Sequence, residues 1–167
     1  MTRRLRTAAF AALCAGLAAS ACGYTTRSLV DESYRTVAIP IFANDTRRHD
    51  LEIEVTRAVV EEMQARTHLR VVPEGDSPDL VMRGTLQEVD EQGVSRRKFQ
   101  RIREQDVFVT AEVRVEDRRT GKDVVPKRLV TEREAFVPVI GEDVRTAREE
   151  AVRALAERVV RTLEQTW

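Results

Sequence analysis

The chain carries little with which to do covalent chemistry. Among its 167 residues are two cysteines and two histidines. Cys14 falls in an N-terminal leader, and beyond that leader Cys22 has no second cysteine with which to form a disulfide framework. His49 and His68 stand at opposite ends of one predicted helix, too far apart to share a metal or to act as a base and its orienting partner. There is no glycine-rich phosphate loop, no G-x-S-x-G and no H-E-x-x-H. Acids are plentiful but occur as partners of arginines on helix and strand faces, so no catalytic carboxylate pair can be singled out. Enzymatic activity, a metal and a cofactor are therefore not expected. An excess of positive charge is missing too. Lysine and arginine total 28 against 28 acids, and without residues 1–21 the balance becomes 25 against 28, or −3. A duplex binder draws its non-specific affinity from neutralising phosphates, so nucleic acid is not an expected partner. Internal repeats and low-complexity segments are absent, and the length suits a single domain.

What is present begins with an address. Arg3, Arg4 and Arg6 form a positive head, and residues 7–19 form an apolar stretch too short to span a bilayer comfortably, which together read as a signal peptide over residues 1–21. Ala19-Ser20-Ala21-Cys22 resembles a bacterial lipobox, with alanine where leucine is usual. Cys22 is thus the expected lipidation site, and acylation accounts for a cysteine that would otherwise be a lone thiol in an oxidising compartment. Gly23 follows where aspartate would commonly signal inner-membrane retention, so the resemblance favours the outer membrane. Residues 22–33 show no periodicity and read as a tether.

The remainder, residues 34–167, reads as one α+β domain. Val37, Ile39 and Ile41 alternate with Ala38, Pro40 and Phe42 as in a mostly buried strand, which Asn44-Asp45-Thr46 interrupts. A helix is predicted from Asp50, its candidate N-cap, with Leu51, Val55, Ala58, Val59 and Met63 as its apolar stripe. Leu69–Val72 is a short strand closed by a Pro/Gly turn cluster. From Asp79 the chain extends again, with a change of phase at Val89 that predicts a bulge near Glu88. Val107, Val109, Ala111, Val113 and Val115 give the clearest alternation, and one buried and one wet face indicate an antiparallel sheet covered on a single side. Gly121 suits a hairpin turn, and Pro126 places the following strand at an edge or a bulge. Val144, Ala147, Ala151, Val152, Leu155, Val159 and Leu163 then recur at helical spacing. The expected fold is a two-layer sandwich in the order β-α-β-β-β-β-α, a mixed sheet of four to five strands with both helices on one face.

One segment departs from this background. Residues 95–103, SRRKFQRIR, place five cations, Arg96, Arg97, Lys98, Arg101 and Arg103, around Phe99 and Ile102. Such a cluster on a net acidic domain suits an anionic amphiphile, with guanidinium forks on phosphates and the apolar side chains on acyl chains.

Cys22-Gly23-Tyr24, YRTVAIPIFANDTRR at 34–48, LEIEVTRAVVEEM at 51–63, DLVMRGTL at 79–86 and LAERVVRTLEQTW at 155–167 resemble, in order and spacing, the LPS-assembly lipoprotein LptE family. The V-A-I-P-I-F-x-N-D-T stretch is also similar to CsgG-like and TolB-like envelope proteins, so an accessory lipoprotein of another envelope complex is the alternative. The LptE resemblance implies a lipid-anchored outer-membrane protein of Gram-negative cells, with its domain on the periplasmic side and inside a barrel lumen. There it plugs the β-barrel LptD, assists the barrel's assembly and helps deliver lipopolysaccharide to the outer leaflet. Only Cys22 is carried over as a functional residue.

Overall fold

The computed structural model describes residues 30–94, 105–136 and 143–164. Its sheet starts where the alternating apolar residues begin, with β1 (Thr36–Ala38), and continues through β2 (Ala43–Asn44), β3 (Arg70–Val71), β4 (Leu80–Val94), β5 (Gln105–Asp117) and β6 (Lys122–Phe136). Helix α1 (Leu51–Arg66) lies between β2 and β3, and helix α2 (Val144–Glu164) closes the chain. The strand order is β3-β1-β4-β5-β6, with β2 also pairing to β4. Pairs involving β1, β2 and β3 are parallel, whereas β4, β5 and β6 form an antiparallel meander. This is the expected mixed sheet, with the two-residue β2 as its sixth strand.

The interior follows the sequence stripes. Val107, Val109, Ala111, Val113 and Val115 are buried against Leu51, Val55, Val59 and Met63 of α1 and Leu155, Val159 and Leu163 of α2. Both helices follow strands that run the same way, and both turn back across one sheet face. Val30, near the end of the expected tether, is buried with this core. β6 is an edge strand, and its pairing slips beside Pro126, between Val113↔Arg128 and Val115↔Val125. Proline can donate nothing to a ladder, so edge and bulge both accommodate it. The bulge expected near Glu88 is present, between Leu86↔Ala111 and Glu88↔Thr110. Gly121 has φ 67°, as its hairpin turn requires.

Two local readings change. The strand expected through Ile41 stops at Ala38, leaving Ile41 68% exposed while Phe42 is buried. The cause lies across the sheet at Gly84. A Cβ there would sit 2.2 Å from the Phe42 ring, so the missing side chain makes the space that Phe42 fills. Phe42 is held from behind, because its N–H donates to the Thr56 hydroxyl at 3.0 Å and that hydroxyl donates to the Glu52 carbonyl at 2.6 Å. Asp50 occupies the N-cap position of α1 but has φ 69° and makes no side-chain cap. The side-chain bonding there comes instead from Asn44, whose amide donates to the Arg48 carbonyl at 2.7 Å and to Glu52 at 2.6 Å. Asp143 does cap α2, accepting from the Arg145 N–H at 3.1 Å.

Candidate functional site

Cys22 and the cations Arg96, Arg97, Lys98, Arg101 and Arg103 all lie outside the described residues. The residues from which these segments depart are described, and they stand at opposite ends of the sheet. At one end β4 and β5 pair up to Gly93↔Asp106 and Val94↔Gln105, so the basic segment joins two strands that are in register at its base. Just below, Asp106 is buried and ion-paired to Arg133 at 2.7 Å, and the same guanidinium lies 6.0 Å from the centre of the Phe108 ring. On the helix-covered face at the same end, a cavity of about 350 Å³ opens between the end of β6 and the start of α2, with Glu134, Asp143 and Glu150 in its lining. The strand ends beneath the basic segment are therefore flanked by carboxylates, which suit cations and do not themselves attract phosphate.

The opposite end holds the chain that leads back toward Cys22. Tyr34 donates its backbone N–H to the Asp31 carbonyl at 3.2 Å and its hydroxyl to Asp117, the last residue of β5, also at 3.2 Å. Asp79, just before β4, accepts at one carboxylate oxygen from the Arg35 N–H, the Thr36 N–H and the Thr36 hydroxyl, each at 2.9 Å. The Arg35 N–H contributes most to holding the Asp79 carboxyl below the usual carboxylate range, while partial burial opposes it and the Thr36 groups add to it. At Asp117 burial pushes upward, but the Arg119 and Thr120 N–H groups, at 2.8 and 3.2 Å, and the Tyr34 hydroxyl together outweigh it and keep the carboxyl low. Burial first, and then the hydrogen bond to Asp117, raises the Tyr34 phenol. Sequence reading passed over these three residues. Asp117 could have been found as an aspartate opening the R-R-T-G turn, since it bonds backbone groups two and three residues on.

A groove of about 530 Å³ runs between the helices, floored by Ala58, Val152 and Ala156 and edged by charged side chains of both signs. His68 bonds through Nε2 to the Tyr34 carbonyl at 2.9 Å, a structural contact. Among the described residues, no cluster of three His, Cys, Asp or Glu could hold a metal, and no helix is long and apolar enough to cross a membrane.

A family model described as lipopolysaccharide-assembly, LptE, matches residues 34–165. The chain belongs to the LptE family. The family match takes in β1 through α2 and the basic segment between β4 and β5, while Cys22 precedes it. Within it, the LptE-like stretches map onto elements: 34–48 onto β1 and β2, 51–63 onto α1, 79–86 onto β4 with its Asp79 pin, and 155–164 onto the second half of α2. Solved structures share the LptE-like fold at low sequence identity. A protein from Xanthomonas campestris is 10% identical, with 81% of this chain and 90% of that one covered at TM-score 0.55. Uncharacterized lipoprotein B from Nitrosomonas europaea is 10% identical over 81% and 84% at 0.53. The PelC dodecamer from Paraburkholderia phytofirmans is 15% identical over 77% and 90% at 0.50. A search of curated proteins returned no match.

Proposed function

We propose that this LptE-family chain is an outer-membrane lipoprotein. Residues 1–21 are removed as a signal peptide, Cys22 carries the acyl anchor, and the stretch that follows tethers the domain from residue 34 onward. The domain acts without catalysis, as the plug of an LptD-like β-barrel that it helps to assemble and through which lipopolysaccharide reaches the outer leaflet. The single observation that carries this reading is the family match over residues 34–165, which spans every element of the fold. The basic segment supplies the glycolipid contact, with Arg96, Arg97, Lys98, Arg101 and Arg103 meeting phosphates.

Extraction of the full-length protein from outer membranes in mild detergent should recover a large β-barrel protein with it. Recovery of no barrel would remove the plug role. The anchor has its own test, since Cys22→Ser should abolish incorporation of a fatty-acid probe and release the protein from membranes. A variant that still takes up label and floats with membranes would show that Cys22 is not the acylated residue.

A further inference from the structure

We propose that the open face of the sheet, at the row formed by Arg83, Arg114 and Lys127, seats against a carboxylate-bearing stretch of the barrel partner's inner wall. This rests on the plug role above and names the face that performs it. Both helices pack on the other side of the sheet, and among the described residues no helix covers this one. Arg83 of β4 is the direct cross-strand partner of Arg114 of β5. The slip in β6 leaves Arg114 facing Pro126 and Lys127, because Val113 pairs with Arg128 and Val115 with Val125. Three cations thus cross three adjacent strands. Like charges directly opposite one another are destabilising in a sheet, so a carboxylate from outside would relieve this row.

The carboxylates of the chain compensate unevenly. Glu74 binds Arg83 and lies 3.8 Å from Arg118, and Glu112 holds Lys127 at 2.8 Å. Arg114 meets Glu116 at 4.0 Å, beyond hydrogen-bond reach, and its side chain is 38% exposed. A guanidinium has five donors in a planar fork, so Arg114 is positioned to take a carboxylate from outside. The three cations line a concavity of about 300 Å³ with Thr85, Glu112 and Val113. Leu129, opposite Glu112 on the neighbouring strand, is 59% exposed and adds an apolar contact. Glu112 beside the row disfavours a dense phosphate cluster and suits a wall on which cations and carboxylates alternate, as they can on the polar lumen of a barrel. The interhelical groove has the opposite bias, with Glu54, Glu61, Glu62 and Glu149 against Arg57 and Arg153.

The full-length lipoprotein in its own cells provides the test. A photo-crosslinking residue placed at Thr85 or Leu129 should give an adduct with the barrel, whereas one at Arg57 or Glu61 in the groove should not. Adducts from the groove alone, or none from Thr85 and Leu129, would overturn the assignment. Arg114→Glu should lower barrel recovery in detergent by about tenfold, the equivalent of about 1.4 kcal/mol, while the unfolding midpoint stays within a few degrees of wild type. Wild-type recovery by a stably folded Arg114→Glu protein would also overturn it. The plug role is judged separately, by whether unmodified protein recovers a barrel at all.

Discussion

Asp79 shows how much one side chain can organise when its partners are backbone. Residues 79 and 35–36 lie far apart in sequence, yet three donors converge on one oxygen, and the Thr36 hydroxyl in return accepts from the Asp79 N–H at 2.9 Å. The start of β1 is thereby tied to the start of β4, where only two residue pairs join these strands. Asp79→Ala leaves these donors without their acceptor and is expected to cost about 1–3 kcal/mol, read as a lowered unfolding midpoint. The pH dependence follows from the depressed carboxyl. Its folded pKa lies below the ordinary value of 3.8, so its contribution is complete above that value and is lost as pH falls through the folded pKa. Asp79→Asn should therefore show a shallower loss of stability than wild type as pH falls below the ordinary aspartate value of 3.8. A residual slope should persist, because Asp31, Glu52 and Asp117 are also held low. Parallel acid profiles for wild type and Asp79→Asn would show that the three hydrogen bonds do not discriminate between the charged and neutral side chain.

At the scale of elements, α2 is the clearest case of sequence dictating placement. Leu155 and Val159 are fully buried, whereas Glu157, two positions from each, sits near Arg66 and Arg161 at 4.0 Å with almost half its side chain exposed. Leu155→Ala should cost about 2–5 kcal/mol in chemical denaturation and Glu157→Ala under about 1 kcal/mol, since exposed ion pairs contribute little. Similar midpoints for the two variants would contradict this packing. The helix could be read in advance because a stripe repeated over several turns is local information, and the alternation of β5 was legible for the same reason. The β2 strand was not. It is two residues long and exists because Ala43 and Asn44 fall opposite Thr85 and Leu86, a coincidence between distant parts of the chain. The exposure of Ile41 depends likewise on Phe42 finding the gap at Gly84, and neither residue announces the other. Asp50 suits a cap by residue type alone, whereas its left-handed backbone and the Asn44 bridge to Glu52 arise from how the preceding loop closes. Of the candidate site, Cys22 and the basic cluster were legible as composition in unusual places, while the cationic row on the sheet depends on strand register and was invisible.

For the molecule as a whole, the long β4–β5 pair separates the two proposed sites, the Cys22 anchor and the basic segment. The chain leading back toward Cys22 enters beside Asp117 at the C-terminal end of β5, and the basic segment joins β4 to β5 at the other end of the same strand. With 13 residues at about 3.3 Å each, β5 keeps these points up to about 40 Å apart, more than the thickness of a bilayer's hydrocarbon core. Anchoring and glycolipid contact should therefore be separable. Neutralising Arg96, Arg97, Lys98, Arg101 and Arg103 together is expected to weaken binding of labelled lipopolysaccharide while leaving membrane flotation and the unfolding midpoint unchanged, whereas Cys22→Ser should abolish flotation and leave lipopolysaccharide binding by the purified protein intact. Wild-type binding should fall as salt rises from low to physiological strength, because exposed charges are screened over about 8–10 Å there. Arg148→Gln on α2 controls for the loss of one positive charge. If the neutralised protein binds lipopolysaccharide as tightly as wild type, the basic segment is a solvated turn, and the glycolipid contact must be sought at the other loop ends of the sheet.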